Sequence, residues 1–227
     1  MTTRGADSSI RDVEPPSIRR LLVAVGLTAW IVAIGYGMAA LARYESAAGE
    51  ANSHAIVWPE ESQVTPNTNR PTMVLFVHPH CPCTRATIGE LERIVARCPG
   101  RAEIHVLFIE PGDVLEGWSD SDLQVRVRAI PGVNVLIDRH GREANLFGAA
   151  TSGQLLLYDE RKQLRFSGGI TALRGHFGDN IGTDNVVSLL TGDTRPSGRI
   201  CCAVFGCPLF HSDGETGNDI EQSLNVL

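Results

Sequence analysis

Between Leu21 and Ala42 the chain reads LLVAVGLTAWIVAIGYGMAALA, 22 residues without one charged side chain. As a helix rising about 1.5 Å per residue it would be roughly 33 Å long, enough to cross a hydrocarbon layer of ~30 Å. A helix apolar on every face has no place in a small water-soluble domain. Arg4, Arg11, Arg19 and Arg20 precede it, whereas Arg43 is soon followed by Glu45, Glu50, Glu60 and Glu61. That bias places the N-terminus in the cytoplasm and everything beyond Ala42 outside. Ala40-Leu41-Ala42 also offers a signal-peptidase pattern. Secretory apolar cores, however, run about 7–15 residues, so the expectation is an uncleaved single-pass anchor in the lipid bilayer. In a bacterium this is the inner membrane, with the main domain in the periplasm.

The chain has 227 residues, which at about 100–200 residues per domain leaves room for one folded domain beyond the anchor. With 20 basic against 26 acidic side chains and a net charge of −6, no basic surface dominates, and nucleic acid is not an expected partner. Hydrophobic residues at 43% exclude wholesale disorder. All six cysteines lie after residue 80, on the side of the anchor where disulfides persist.

The expected organisation is a cytoplasmic tail over 1–20, the anchor over 21–42, a linker over 43–70, a folded domain over 71–192 and a cysteine-containing extension over 193–227. Residues 44–70 are polar and aperiodic, although Trp58-Pro59 are candidates to pack on the domain edge. Met73–Val77 reads as a strand buried on both faces. A helix follows from about Pro82 to Arg97, with Ile88, Leu91, Ile94 and Val95 at helical spacing and Pro99-Gly100 as its stop. Ile104–Ile109 is a second strand. Ser119–Arg128 is a second helix, with Ser119 and Asp122 at capping-box spacing. Val133–Ile137 is a third strand, and a helical turn follows near Glu143–Phe147. Leu155–Tyr158 and Leu164–Phe166 flank a hairpin turn, and Asp184 caps a last helix through Leu190. This order predicts an α/β fold, a mixed sheet covered by helices on both faces.

The chemistry concentrates in His78-Pro-His-Cys-Pro-Cys83, where the first strand gives way to the first helix of the domain. Cys81 is expected at the N-cap, with Pro82 at the first helical position. A thiolate there faces unpaired N–H groups and the positive end of the helix dipole, which lowers a cysteine pKa from about 8.5. His78 and His80 can add charge or shuttle a proton. Cys81 is the candidate nucleophile.

From Pro71 to about Leu190 the chain resembles thioredoxin-fold proteins, in particular membrane-anchored redoxins of the TlpA and peroxiredoxin-like (AhpC/TSA) type. Phe76 stands five residues before Cys81 and Leu91 ten after it, as around the attacking cysteine of that fold. Val135–Gly141, Phe147-Gly148, Leu155–Asp159 and Phe166–Gly169 resemble its second half. The strings TSGQ, LLYD and SGGIT are similar to those of RedB-type proteins. The resemblance covers about 120 of the 227 residues. It implies thiol–disulfide exchange with protein thiols or disulfides, or with a membrane electron donor, and no cofactor. Two departures stand out. The family dithiol is C-x-x-C, but here Thr84 holds the resolving position and Cys83 offers a strained C-x-C pair. Where that fold carries a cis-proline facing the cysteine, this chain has Thr151-Ser-Gly-Gln154, with Gly153 at or beside the expected position. Peroxiredoxins place a threonine three residues before their cysteine, and this chain has His78.

Cys207, in Phe205-Gly-Cys-Pro-Leu209, is a second candidate to resolve a disulfide on Cys81; a bridge from Cys201 or Cys202 to Cys207 that pins the tail is the alternative. Cys98 is expected as a core thiol. An alternative function is Cu(I) or Zn(II) binding or delivery through His78, His80, Cys81 and Cys83, whose sulfur and imidazole donors suit soft metals. A third is a catalytically silent domain that serves assembly. His176 and His140 are read as hydrogen-bonded or turn residues.

Overall fold

The computed structural model describes residues 17–50, 53–112, 114, 117, 118, 120–192 and 198–210. Arg4, Arg11, Ser119 and the polar tail after Phe210 lie outside the described residues. The chain divides into two compact units, Met1–Arg43 and Tyr44–Leu227.

The first unit contains most of α1, Ile18–Ser46, a 29-residue helix long and apolar enough to cross a membrane; none of its residues is buried. The second unit is built on β1 (Thr72–Val77), α2 (Thr84–Arg97), β2 (Glu103–Glu110), α3 (Asp122–Arg128), β3 (Val133–Arg139), α4 (Arg142–Phe147), β4 (Gln154–Tyr158), β5 (Leu164–Gly168), α5 (Ile181–Thr191) and β6 (Ile200–Cys201). Its strands form one sheet in the order β3-β2-β1-β4-β5-β6. β1, β2 and β3 run parallel, β4 is antiparallel to β1 and to β5, and β6 is parallel to β5. A central β1 between a parallel crossover partner and an antiparallel hairpin is the thioredoxin-like arrangement, so the expected fold is the one found.

Alternation along the strands sorts the core into two layers. Met73, Leu75 and Val77 of β1 pack with Ile88, Leu91 and Ile94 of α2 and Val186 and Leu190 of α5. Val74 and Phe76 point the other way, towards Ala144 and Phe147 of α4, Leu156 and Tyr158 of β4, and Trp58. Because β1 is buried on both faces it reads as a continuous apolar run. Each such Leu, Ile or Phe contributes about 1.5–3 kcal/mol of burial energy.

The stretch expected as linker supplies part of this second layer. Trp58 is buried, its ring edge-on to Phe147 and Tyr158 at 5.0 Å from each. Leu164 donates its N–H to Ile56 O at 2.8 Å, and Trp58 N–H bonds Lys162 O at 3.0 Å. Residues 56–58 therefore lie along the β4–β5 hairpin as a short added edge.

Three helix starts differ from expectation. α2 begins at Thr84 rather than Pro82, because Cys81–Cys83 first form a tighter turn in which Thr84 N–H bonds Cys81 O at 3.1 Å and Arg85 N–H bonds Pro82 O at 3.4 Å. Cys83, not Cys81, is the N-cap residue. α5 is capped by Asn180, whose Oδ1 accepts from Thr183 N–H at 2.8 Å, four residues ahead of Asp184. α3 is capped by Ser121, which accepts from Gln124 N–H. β6, unforeseen in the sequence, leads the last described residues back across the domain.

Candidate functional site

Beyond Val77 the chain leaves the sheet and turns, and this turn buries both thiols of the C-x-C pair: Cys81 is 2% exposed and Cys83 7%. The facing wall is the loop before β4. Ser152 Oγ accepts from His78 N–H at 2.9 Å and lies 2.9 Å from Thr84 Oγ1, tying the turn to the start of α2. Gly153 N–H donates to Phe76 O at 2.8 Å. Gly153 has φ +93, a conformation closed to proline and strained for any side chain, so the loop reaches this place by a glycine. All described peptide bonds are trans.

The third thiol arrives from the far end of the chain. Ser152 N–H donates to Cys207 O at 2.8 Å, Leu209 N–H donates to Ala150 O at 2.8 Å, and Thr151 and Pro208 form an antiparallel bridge. The tail thus lies as a short strand on the 150–152 loop. It leaves no room for a side chain at Gly206, where a Cβ would overlap the Ser152 carbonyl oxygen. This strand sets Cys207 Sγ 3.1 Å from Cys81 Sγ. Both are free thiols, about 1 Å beyond the bonded S–S length of ~2.05 Å.

The three thiols are electrostatically unequal. Burial pushes the Cys81 thiol up, but hydrogen bonds from the side chains and backbones of Cys207 and Thr84 outweigh it and hold Cys81 below its ordinary value. Burial pushes Cys207 up to about 12, reinforced by its hydrogen bond to Cys81 and by the negative charge there. Cys83 is also raised, by burial first and then by the charge on Cys81, with Arg174 acting in the opposite direction. Of the two, Cys81 therefore gives up its proton more readily and Cys207 holds its own more firmly. A readily ionised thiol with a second thiol at contact distance is an arrangement suited to thiol–disulfide exchange.

The remaining predicted residues are placed as follows. The rings of His78 and His80 pack on Trp118 at 5.2 and 4.7 Å, and His80 Nε2 lies 3.0 Å from Trp118 O. The two histidines contact each other, His80 N–H donating to His78 Nδ1 at 3.2 Å. They do not join Cys81 and Cys83 in a donor set: among the described residues no three His, Cys, Asp or Glu side chains gather as a metal ion would need. Cys98 is buried in the core at the end of α2, and burial raises its thiol. Cys201 is exposed and Cys202 half-buried, its sulfur 3.7 Å from Asn185 Nδ2. Neither is bonded to Cys207, whose partner is Cys81. His176 bonds Arg174 O, and His140 adopts φ 58 in its turn, as turn residues do.

Ser152 and Arg174 were not singled out in the sequence. Each reaches the site only through contacts far along the chain, and no local pattern marks such a role.

No family model matches the chain, and neither does any curated protein. Among solved structures it is similar to an uncharacterized conserved protein from Geobacillus kaustophilus, 16% identical, over 74% of this chain and 98% of that one, with a TM-score of 0.57. A hypothetical protein from Sinorhizobium meliloti is 19% identical over 75% and 99% of the two chains, with a TM-score of 0.49. A secreted disulfide oxidoreductase from Mycobacterium tuberculosis, homologous to DsbE of E. coli, is 12% identical over 56% and 83%, with a TM-score of 0.39. The first of these, at 16% identity, shows a likeness of fold alone.

Proposed function

We propose that the chain is a membrane-anchored thiol–disulfide oxidoreductase of the redoxin type, with residues 21–42 in the bilayer and its thioredoxin-like unit outside the cytoplasm. Cys81 is the nucleophile and Cys207 the resolving thiol. The Cys81 thiolate attacks one sulfur of a substrate disulfide; a Cys81–substrate disulfide forms and the other substrate sulfur leaves as a thiolate, which takes up a proton. Cys207 then gives up its proton and attacks Cys81. The Cys81–Cys207 disulfide forms as the second substrate sulfur leaves and is protonated. Two electrons have passed from the protein dithiol to the substrate, and the same steps reversed oxidise a substrate dithiol. Protein thiols and disulfides suit such a site, and a membrane electron donor would return the dithiol to its reduced state.

The observation that carries this reading is the 3.1 Å contact between Cys81 Sγ and Cys207 Sγ, with the two thiols shifted in opposite directions. Cys83 stands beside Cys81, but a C-x-C ring is tighter than the long loop closed through Cys207.

Mass mapping of thiols in the full-length protein across a graded glutathione buffer tests it. The expected result is one reversible disulfide, Cys81–Cys207, with Cys98 reduced throughout. A Cys81 that never pairs and stays unreactive at neutral pH would overturn the reading.

A further inference from the structure

The strand that brings Cys207 to Cys81 is held by a side chain from outside both. Arg174 lies between β5 and α5. Its Nη1 donates to the carbonyl oxygen of Gly206, the residue before Cys207, at 2.6 Å, and its Nε donates to Ala47 O at 3.3 Å. Its guanidinium lies over the Tyr44 ring at 5.0 Å from the centroid, and its own N–H bonds Glu45 O at 3.1 Å. The segment so gripped is itself tied to the tail: Gly49 N–H donates to Val204 O at 2.8 Å, and Thr151 Oγ1 donates to Glu50 O at 3.2 Å. Residues 44–50 and 204–207 thus form a double strap over the loop that faces Cys81, and Arg174 is bonded to both. A planar guanidinium suits this place, since its donors are fixed in a fork and it keeps its charge at any working pH.

We infer that Arg174 is a positioning residue of the exchange site. It pins the Cys207 strand against Cys81, and its bond to Gly206 must break before an external disulfide can reach the sulfur of a residue that is 2% exposed. The reduced protein is therefore covered by its own resolving strand, and a substrate enters by displacing that strand. The inference rests on the exchange reading above. A thiol held at contact has a high effective concentration, and loosening its strand lowers that concentration without touching either sulfur.

The test uses the full-length protein with two readouts. One is the equilibrium of the Cys81–Cys207 disulfide with glutathione, and the other is the alkylation rate of reduced Cys81 at a pH where it is fully ionised. Arg174→Ala is expected to weaken the disulfide about tenfold, a shift of about 30 mV towards easier reduction. It should also speed Cys81 alkylation by about tenfold, because local opening becomes less costly. Arg174→Lys keeps the charge but cannot span both carbonyls, and should fall between the two. Protection of Cys98 reports an intact fold. Wild-type values for both readouts in a folded Arg174→Ala protein overturn the inference. Should that variant expose Cys98, Arg174→Lys decides, and wild-type behaviour there overturns it equally. A wild-type protein that forms no Cys81–Cys207 disulfide defeats the exchange reading instead, and the alkylation rates alone then decide whether Arg174 pins the strand.

Discussion

The backbone N–H of Ser152 donates to the carbonyl oxygen of Cys207 at 2.8 Å, while the hydroxyl of the same serine accepts from His78 N–H at 2.9 Å. One residue of the loop before β4 thus holds the Cys207 strand with its backbone and the Cys81 turn with its side chain. The spacing between Cys81 and Cys207 is set by this bracket rather than by a local motif.

The acidity of Cys81 should be traceable to two neighbours. Alkylation by iodoacetamide should reach its plateau at a pH below that of an ordinary thiol, which titrates near about 8.5. Thr84→Val removes one of the hydrogen bonds that favour the thiolate and keeps the side-chain volume, so the profile should move up in pH. Cys207→Ala removes the larger contribution and should move it further; it should also leave Cys81 trapped as a mixed disulfide with substrate. A profile unchanged in both variants contradicts the assignment.

Trp58 should matter to the fold as a core residue does, although it lies in the stretch that reads as linker. It is 4% exposed and edge-on to two aromatic rings. Trp58→Ala should cost about 3–5 kcal/mol, the usual loss for a buried aromatic. Chemical denaturation of the reduced protein measures it. A loss below about 1 kcal/mol would mean that the 53–70 stretch lies loosely on the domain.

The reduced protein should lose stability in mild alkali. Burial raises the Cys98 thiol and pushes Cys207 up to about 12, so in the folded state both hold their protons beyond the pH at which unfolded thiols release them. Their contribution is complete below about pH 8.5 and declines as pH rises towards the folded values. Cys81, shifted down, acts with the opposite sign: its contribution is complete above about pH 8.5 and fades as pH falls through its folded value. The melting temperature in reductant should therefore fall from about pH 8.5 upward, and less steeply in Cys98→Ala. A flat profile would contradict the shifts.

Much of the sheet is legible in the sequence for a simple reason. Met73–Val77 is apolar on both faces because β1 lies between two core layers, and α2 shows its stripe because Ile88, Leu91 and Ile94 are the positions that pack into the core. Helix starts were less legible at Cys81–Thr84 and Asn180, where a proline or an acidic side chain near the true boundary offers a competing cap. Trp58 was legible as a residue that packs on the domain edge, but the segment around it was not, because an edge segment with one large anchor has no period to detect.

The sequence by itself determined the apolar helix, the order of strands and helices up to α5, and Cys81 as the candidate nucleophile, since each follows from hydrophobic pattern or from residue type within a few neighbours. It left Cys83 and Cys207 as equal candidates to resolve a disulfide. Only the tertiary structure brings Cys207 to Cys81, because the separation of two thiols 126 residues apart depends on where the chain returns. That return is fixed by β6, by backbone bonds to residues 150–152 and by the guanidinium of Arg174. Such backbone bonds form between any residues that can lie extended side by side, so they leave almost no mark on the amino acids that make them.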